Sequence, residues 1–239
     1  MIKTRSIING LNARYLVTGG FAAFSLFTVI LMIIKRDYYL VPSALVGVLL
    51  SFVTLIFERL IGGRLNTVMY VVCAFYSIGP MLGDCYMLYY VVDWFDKLLH
   101  FLGGVIFALL GYFLFERISD SARMRSAAVL FALCFSITVA CVWEFYEYGM
   151  DSLLGIDMQH DTVITEINSY NLGREPGERG EIGGIETVSI NGNELETGYL
   201  DIGLHDTMKD MIFESVGALG AVIYFIANGE RHPLITDAS

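Results

Sequence analysis

The chain has 239 residues, of which 55% are hydrophobic and 17% charged, and its mean hydropathy is +0.59. A soluble domain is about 45–50% apolar and about 25% charged, so this composition excludes an ordinary water-exposed fold and points to the membrane class. The formal charge of −10 comes with no basic patch and no basic-aromatic stripe, which excludes nucleic acid as a partner.

Residues 1–14 are polar and basic, with Lys3, Arg5 and Arg14. The first apolar run covers about 15–34 and is broken by Lys35, Arg36 and Asp37. It is long enough to span a bilayer, and no small-residue cleavage pattern follows it, so it is expected to remain as a helix. Further spans are expected at about 40–57, ending at Glu58-Arg59, and at 66–83, ending at Asp84. The fourth covers 96–115, before Glu116-Arg117, the fifth 126–150 and the sixth 206–227. Each is near the roughly 20 residues that a hydrocarbon core requires. The fold class is therefore an all-α membrane protein with about six transmembrane helices, forming a single polytopic domain over 1–239.

The only long loop, about 155–205, lies between the fifth and sixth spans and is rich in Gly, Glu and Asp. Within it, Asn191-Gly192 sits between the alternating segments Val188-Ser189-Ile190 and Asn193-Glu194-Leu195. Asn-Gly supplies two positions that tolerate φ > 0, so a small β-hairpin is expected here. No internal repeat and no second globular domain is apparent. The four cysteines, Cys73, Cys85, Cys134 and Cys141, lie in or beside apolar runs with no CxxC pair. They read as small core hydrophobes rather than a disulfide framework or a thiolate metal site.

Six spans put both termini and the second and fourth loops on one side. That side carries Lys3, Arg5, Arg14, Arg59, Arg64, Arg117, Arg123, Arg125 and Arg231. The opposite side holds fewer basic residues and nearly all the acid, so the termini are expected to be cytoplasmic and the long loop extracytoplasmic.

Three acidic stripes stand near the ends of spans that meet the long loop. Asp96 and His100 are i and i+4, with Lys97 beside them. Glu144 and Glu147 are i and i+3, followed by Asp151. Asp206, Asp210 and Glu214 repeat every four residues, with Lys209 among them. Each set shares one helix face. Ionisable groups inside a span cost about 2.5–3.5 kcal/mol each at the helix centre, so they tend to face one another or a cavity. The three stripes are expected at one depth and on one side of the membrane.

Carboxylates with one imidazole suit a divalent metal, and Asp96, His100, Asp206 and Asp210 are the candidate ligands. Such a metal would activate water against a lipid-linked ester or phosphate. Glu147, with Glu144, is the candidate general base. Lys97, Lys209, His160 and Asp161 are candidates for substrate binding. The competing reading makes these residues interfacial caps, since Asp and Glu are favoured in any first helical turn. That reading covers Asp96 and Asp206 but not Glu144 and Glu147 at a helix C-terminus, nor the deeper His100 and Glu214. The tetrapeptide Gln159-His160-Asp161-Thr162 equally suits an ordinary turn. Tyr86, Tyr89, Tyr90, Trp94, Trp143, Tyr146 and Tyr148 read as an aromatic belt. Gly103, Gly104, Gly217 and Gly220 suit close helix packing.

The segments Asp96-Lys97-Leu98-Leu99-His100-Phe101, Trp143-Glu144-Phe145-Tyr146-Glu147 and Asp206-Thr207-Met208-Lys209-Asp210-Met211 resemble the YjdF-like family of bacterial membrane proteins. The Asp-Lys-x-x-His start is more loosely similar to the VanZ-like family associated with glycopeptide resistance. The resemblance implies a bacterial plasma-membrane location and the six-helix layout, and it carries no established activity.

The leading expectation is a membrane-embedded protein with an outward-facing acidic and histidine site, metal-dependent and acting on a lipid or envelope precursor. One rival is a proton- or cation-coupled transporter using the same carboxylates. Another is a non-catalytic envelope or stress-response protein whose loop binds a partner.

Overall fold

The computed structural model describes residues 2–119, 125–155, 157–195, 198–201, 203–228 and 235–236. Arg123 and Arg231, counted above for orientation, lie outside the described residues. The described residues form eight helices: α1 (Ile2–Lys35), α2 (Val41–Leu50), α3 (Val53–Ile61), α4 (Thr67–Cys85), α5 (Leu88–Val91), α6 (Phe95–Ile118), α7 (Arg125–Leu154) and α8 (Leu204–Asn228). Six stretches among them are long and apolar enough to cross a membrane: Ala13–Lys35, Tyr38–Ile61, Thr67–Cys85, Phe95–Ile118, Arg125–Leu154 and Leu204–Asn228.

Helix ends follow local chemistry. Arg36 takes a left-handed φ of 65°, and the Arg36 and Asp37 amides bond Ile33 O and Met32 O, closing α1. The second span is two helices, because Ser51 Oγ donates to Gly47 O at 2.8 Å and competes with the helical ladder at the α2–α3 junction. This span was expected to stop at Phe57, yet α3 continues to Ile61. Glu58 does not end it, because the Arg14 guanidinium meets Glu58 Oε1 at 2.9 Å and supplies the countercharge. Gly62, with φ 71°, then caps the helix. The Asn66 side chain accepts from the Met69 amide at 2.8 Å and starts α4.

Contacts divide the chain into two units: Met1–Ala140 with Asp210–Ser239, and Cys141–Lys209. In the first unit, one apolar cluster gathers Val29, Met32, Ala44, Ile78, Met81 and Cys85 where α1, α2 and α4 pack. A larger cluster centres on Tyr70, Leu109, Tyr112 and Phe225, and the Tyr112 and Phe225 rings stack at 4.0 Å. α6 and α8 touch backbone to backbone. A methyl group at Gly104 would lie 1.9 Å from Glu214 O, and one at Gly217 would lie 2.1 Å from Phe101 O. Ser136 Oγ of α7 donates to Gly104 O at 3.0 Å at the same level. The packing role expected of Gly104 and Gly217 is therefore met, whereas Gly220 has open space around it.

Strand β1 (Arg64–Leu65), after the second span, pairs antiparallel with β8 (Ile235–Thr236), after the sixth. Both segments thus lie at one end of the helices, as an even number of crossings between them demands. Cys73 and Cys85 are buried as expected, while Cys134 is exposed and Cys141 half-buried.

The second unit holds the long loop and the adjoining ends of α7 and α8. The expected hairpin is present as β5 (Val188–Ile190) paired with β6 (Asn193–Leu195), with Asn191 at φ 54° and Gly192 at φ 83°. Two further ladders went unforeseen: β2 (Thr162–Ile164) with β7 (Tyr199–Asp201), and β3 (Ile167–Ser169) with β4 (Gly180–Ile182). Three-residue strands show no period-two pattern, and the β2–β7 partners are far apart in sequence, so no turn signal announces them.

Candidate functional site

In the first unit the chemistry gathers between α6 and α8. Asp96 and Lys97 lie in the first turn of α6, and His100 follows one turn later. Asp210 and Glu214 occupy successive turns of α8. The glycine contacts bring these faces together, because the backbone carbonyl pressed against Gly104 belongs to Glu214 itself. Lys97 Nζ bonds Asp96 Oδ2 at 2.9 Å and Asp210 Oδ1 at 2.6 Å.

His100 faces carboxylates from both ring nitrogens. Its Nε2 lies 3.7 Å from Asp96 Oδ1 and 3.8 Å from Asp210 Oδ1, and its Nδ1 lies 3.7 Å from Glu214 Oε2. Asp210 is 1% exposed and Glu214 4%, so this is interior rather than a solvated rim. Glu214 Oε1 is fully buried with no hydrogen-bond partner among the described residues. A buried acceptor left unmade costs about 1–3 kcal/mol.

The arrangement can hold a cation. One ligand atom each from Asp96, His100 and Asp210 lie within 4.8 Å of one another. Three carboxylates face one ammonium and one imidazole. Among these described groups the carboxylates outnumber the cations, an excess that a bound cation would offset. Of the expected ligands and substrate contacts, Asp96, Lys97, His100 and Asp210 are thus brought together. Glu214 was visible in its stripe as a deep acid, but i, i+4 spacing by itself could not give it a partner. Its signal was its depth, two turns beyond Asp206.

In the second unit, Glu144 and Glu147 are buried near the end of α7, and the Trp143 indole donates to Glu147 Oε1 at 2.7 Å. Asp206 is buried at the start of α8, where its Oδ2 accepts from the His160 amide at 3.1 Å and lies 3.8 Å from His160 Nδ1. Asp151 accepts from the Met158 and Gln159 amides at 2.7 and 2.8 Å, and Gln159 Nε2 donates to Thr207 Oγ1. These bonds fasten the loop across the two helix ends. Asp161 and Lys209 are exposed. The carboxyl of Asp157 is pushed up from its ordinary 3.8, first by loss of solvent as neighbouring chain shields it, then by Asp161, against the opposing pull of His160. Asp151 and Asp206 add to the rise. Tyr90, Trp94, Trp143, Tyr146 and Tyr148 are exposed, as an interfacial aromatic belt requires.

These features define an integral membrane protein with a charged cluster buried among its helices. Residues 16–231 match the family described as Predicted membrane protein (DUF2238), the YjdF family, and the chain belongs to it. The looser similarity to the VanZ-like family is not shown by these comparisons. No characterised protein and no solved structure matches the chain.

Proposed function

We propose that the protein is a metal-dependent enzyme of the bacterial plasma membrane, with cytoplasmic termini, acting on a lipid-linked ester or phosphate of the cell envelope. The observation that carries this reading is the bidirectional setting of His100. Its Nε2 is turned to Asp96 and Asp210 while its Nδ1 is turned to Glu214. A metal-ligating histidine characteristically gives one nitrogen to the ion and the other N–H to a carboxylate, which fixes the tautomer and strengthens the ligand. Two ligands at about 2.1 Å in a tetrahedral site stand about 3.4 Å apart. The Nε2–carboxylate separations of 3.7 and 3.8 Å come within a few tenths of that spacing. Bound there, a divalent ion would polarise the substrate oxygen or lower the pKa of a water.

Elemental analysis of purified wild type beside His100→Ala and Asp210→Asn tests the reading. A stoichiometric metal lost in both variants is expected; equal metal in all three, or none in wild type after reconstitution with Zn²⁺, Mn²⁺ or Mg²⁺, overturns it. A second reading, a cation- or proton-coupled carrier, is favoured by Lys97, whose ammonium bridges two buried carboxylates as a movable countercharge does. Cation-dependent uptake in proteoliposomes by a metal-free protein would establish that reading instead.

A further inference from the structure

One atom in the cluster is contested. Asp210 Oδ1 holds Lys97 Nζ at 2.6 Å and is also the oxygen turned to His100 Nε2 at 3.8 Å. Asp96 divides its work: Oδ2 holds Lys97 and Oδ1 is turned to His100. An ion placed between His100 Nε2 and the two carboxylates would therefore leave the Asp96–Lys97 bond in place but take the oxygen that Lys97 holds on Asp210. A divalent ion and an ammonium held on one carboxylate oxygen would stand close enough to repel each other strongly.

We infer that Lys97 is a built-in competitor of the metal: its ammonium occupies Asp210 Oδ1 when the site is empty and yields that oxygen when a divalent cation enters. The inference rests on the metal reading above and deepens it, because it assigns Lys97 to regulating the occupancy of that site. Two features support it. The charge surplus persists with Lys97 in place, so the ammonium does not satisfy the cluster. Glu214 Oε1, buried and unpartnered behind His100, shows independently that the cluster lacks a positive or donating group. Lys97 has somewhere to go. Its side chain keeps 16% exposure while Asp210 keeps 1%, and it retains Asp96 Oδ2 as a partner.

The test is a Mn²⁺ titration of the full-length protein in detergent, with free Mn²⁺ read by electron paramagnetic resonance. Wild type, Lys97→Met and Lys97→Arg are compared. A charge-assisted hydrogen bond contributes about 1.5–3 kcal/mol, so removing the competitor should tighten Mn²⁺ binding by about 10- to 100-fold in Lys97→Met. Lys97→Arg, whose fork grips two carboxylates at once, should weaken binding below wild type. It also reads the competition independently if Lys97→Met folds poorly. Mn²⁺ bound by wild type and more tightly by Lys97→Met supports the inference. Equal or weaker binding in Lys97→Met, or tighter binding in Lys97→Arg, overturns the inference while leaving the metal site standing. No Mn²⁺ bound by any of the three overturns the metal reading and the competition together.

Discussion

Two charge clusters in the first unit, one half-buried and one reaching the interior, invite comparison. At Arg14 every group has a match. Arg14 Nε donates to Glu58 Oε1 at 2.9 Å, a second Arg14 nitrogen donates to Leu65 O, and the guanidinium lies 5.6 Å from the Tyr70 ring centroid. The Leu65 amide returns a bond to Glu58 Oε1 at 2.8 Å. One cation meets one anion, and the pair ties α1 and α3 to the start of α4. Around Lys97, among the described residues, the carboxylates of Asp96, Asp210 and Glu214 gather near one ammonium and one imidazole, and Glu214 Oε1 is buried without a hydrogen-bond partner. A closed ion pair is a clamp. A cluster rich in acid, held together at a cost to the fold, is where the proposed cation would bind.

The contrast is broken or sharpened by substitutions, taken here from the largest expected effect on stability to the smallest. Arg14→Ala leaves the half-buried Glu58 without its guanidinium, so thermal unfolding in detergent should show a loss of about 1.5–3 kcal/mol. Metal content per folded molecule should not change, and a parallel loss of metal would dissolve the distinction between clamp and site. Gly104→Ala forces a methyl group against the Glu214 carbonyl and should cost about 1–3 kcal/mol, and here metal binding should fall together with stability. A variant that loses stability but keeps its metal would show that the α6–α8 contact does not position the cluster.

Gly192→Val places a β-branched residue at φ 83° and should weaken the β5–β6 hairpin by about 1–2 kcal/mol. Hydrogen exchange should report this in the second unit alone, and slowed or quickened exchange in α6 would argue otherwise. Asp210→Asn should change the stability of the metal-free protein by less than about 1 kcal/mol, because it relieves repulsion while it removes one bond to Lys97. A loss as large as that of Arg14→Ala would make the Lys97 cluster a second clamp.

The smallest effect belongs to Asp157. Its raised pKa means the folded loop prefers the protonated acid, so its contribution is complete below the ordinary value of 3.8 and is lost as the pH rises through the raised one. Asp157→Asn should therefore slightly steady the loop at neutral pH and flatten its exchange between pH 4 and 7. An unchanged pH profile would remove Asp157 from the set of strained acids.

Sequence alone determined the class and most of the layout. Runs of about 20 apolar residues leave no alternative to spanning helices, because only a helix or closed barrel satisfies its backbone in hydrocarbon. The positive φ that Asn-Gly tolerates was enough to place the hairpin at Asn191-Gly192. Spacing also showed that Asp96 and His100 share a face, as do Asp210 and Glu214. It could not say that these two faces meet. That was decided by Gly104 and Gly217, whose missing side chains let α6 and α8 approach until backbones touch. Nor could sequence separate the two lysines beside aspartates. Lys97 turns inward onto Asp96 and Asp210, while Lys209 is exposed. It equally missed that Glu58, read as the end of a span, is sheltered by Arg14, 44 residues earlier. In each case the deciding energy is a pairing between groups distant in the chain, and local periodicity carries no term for it.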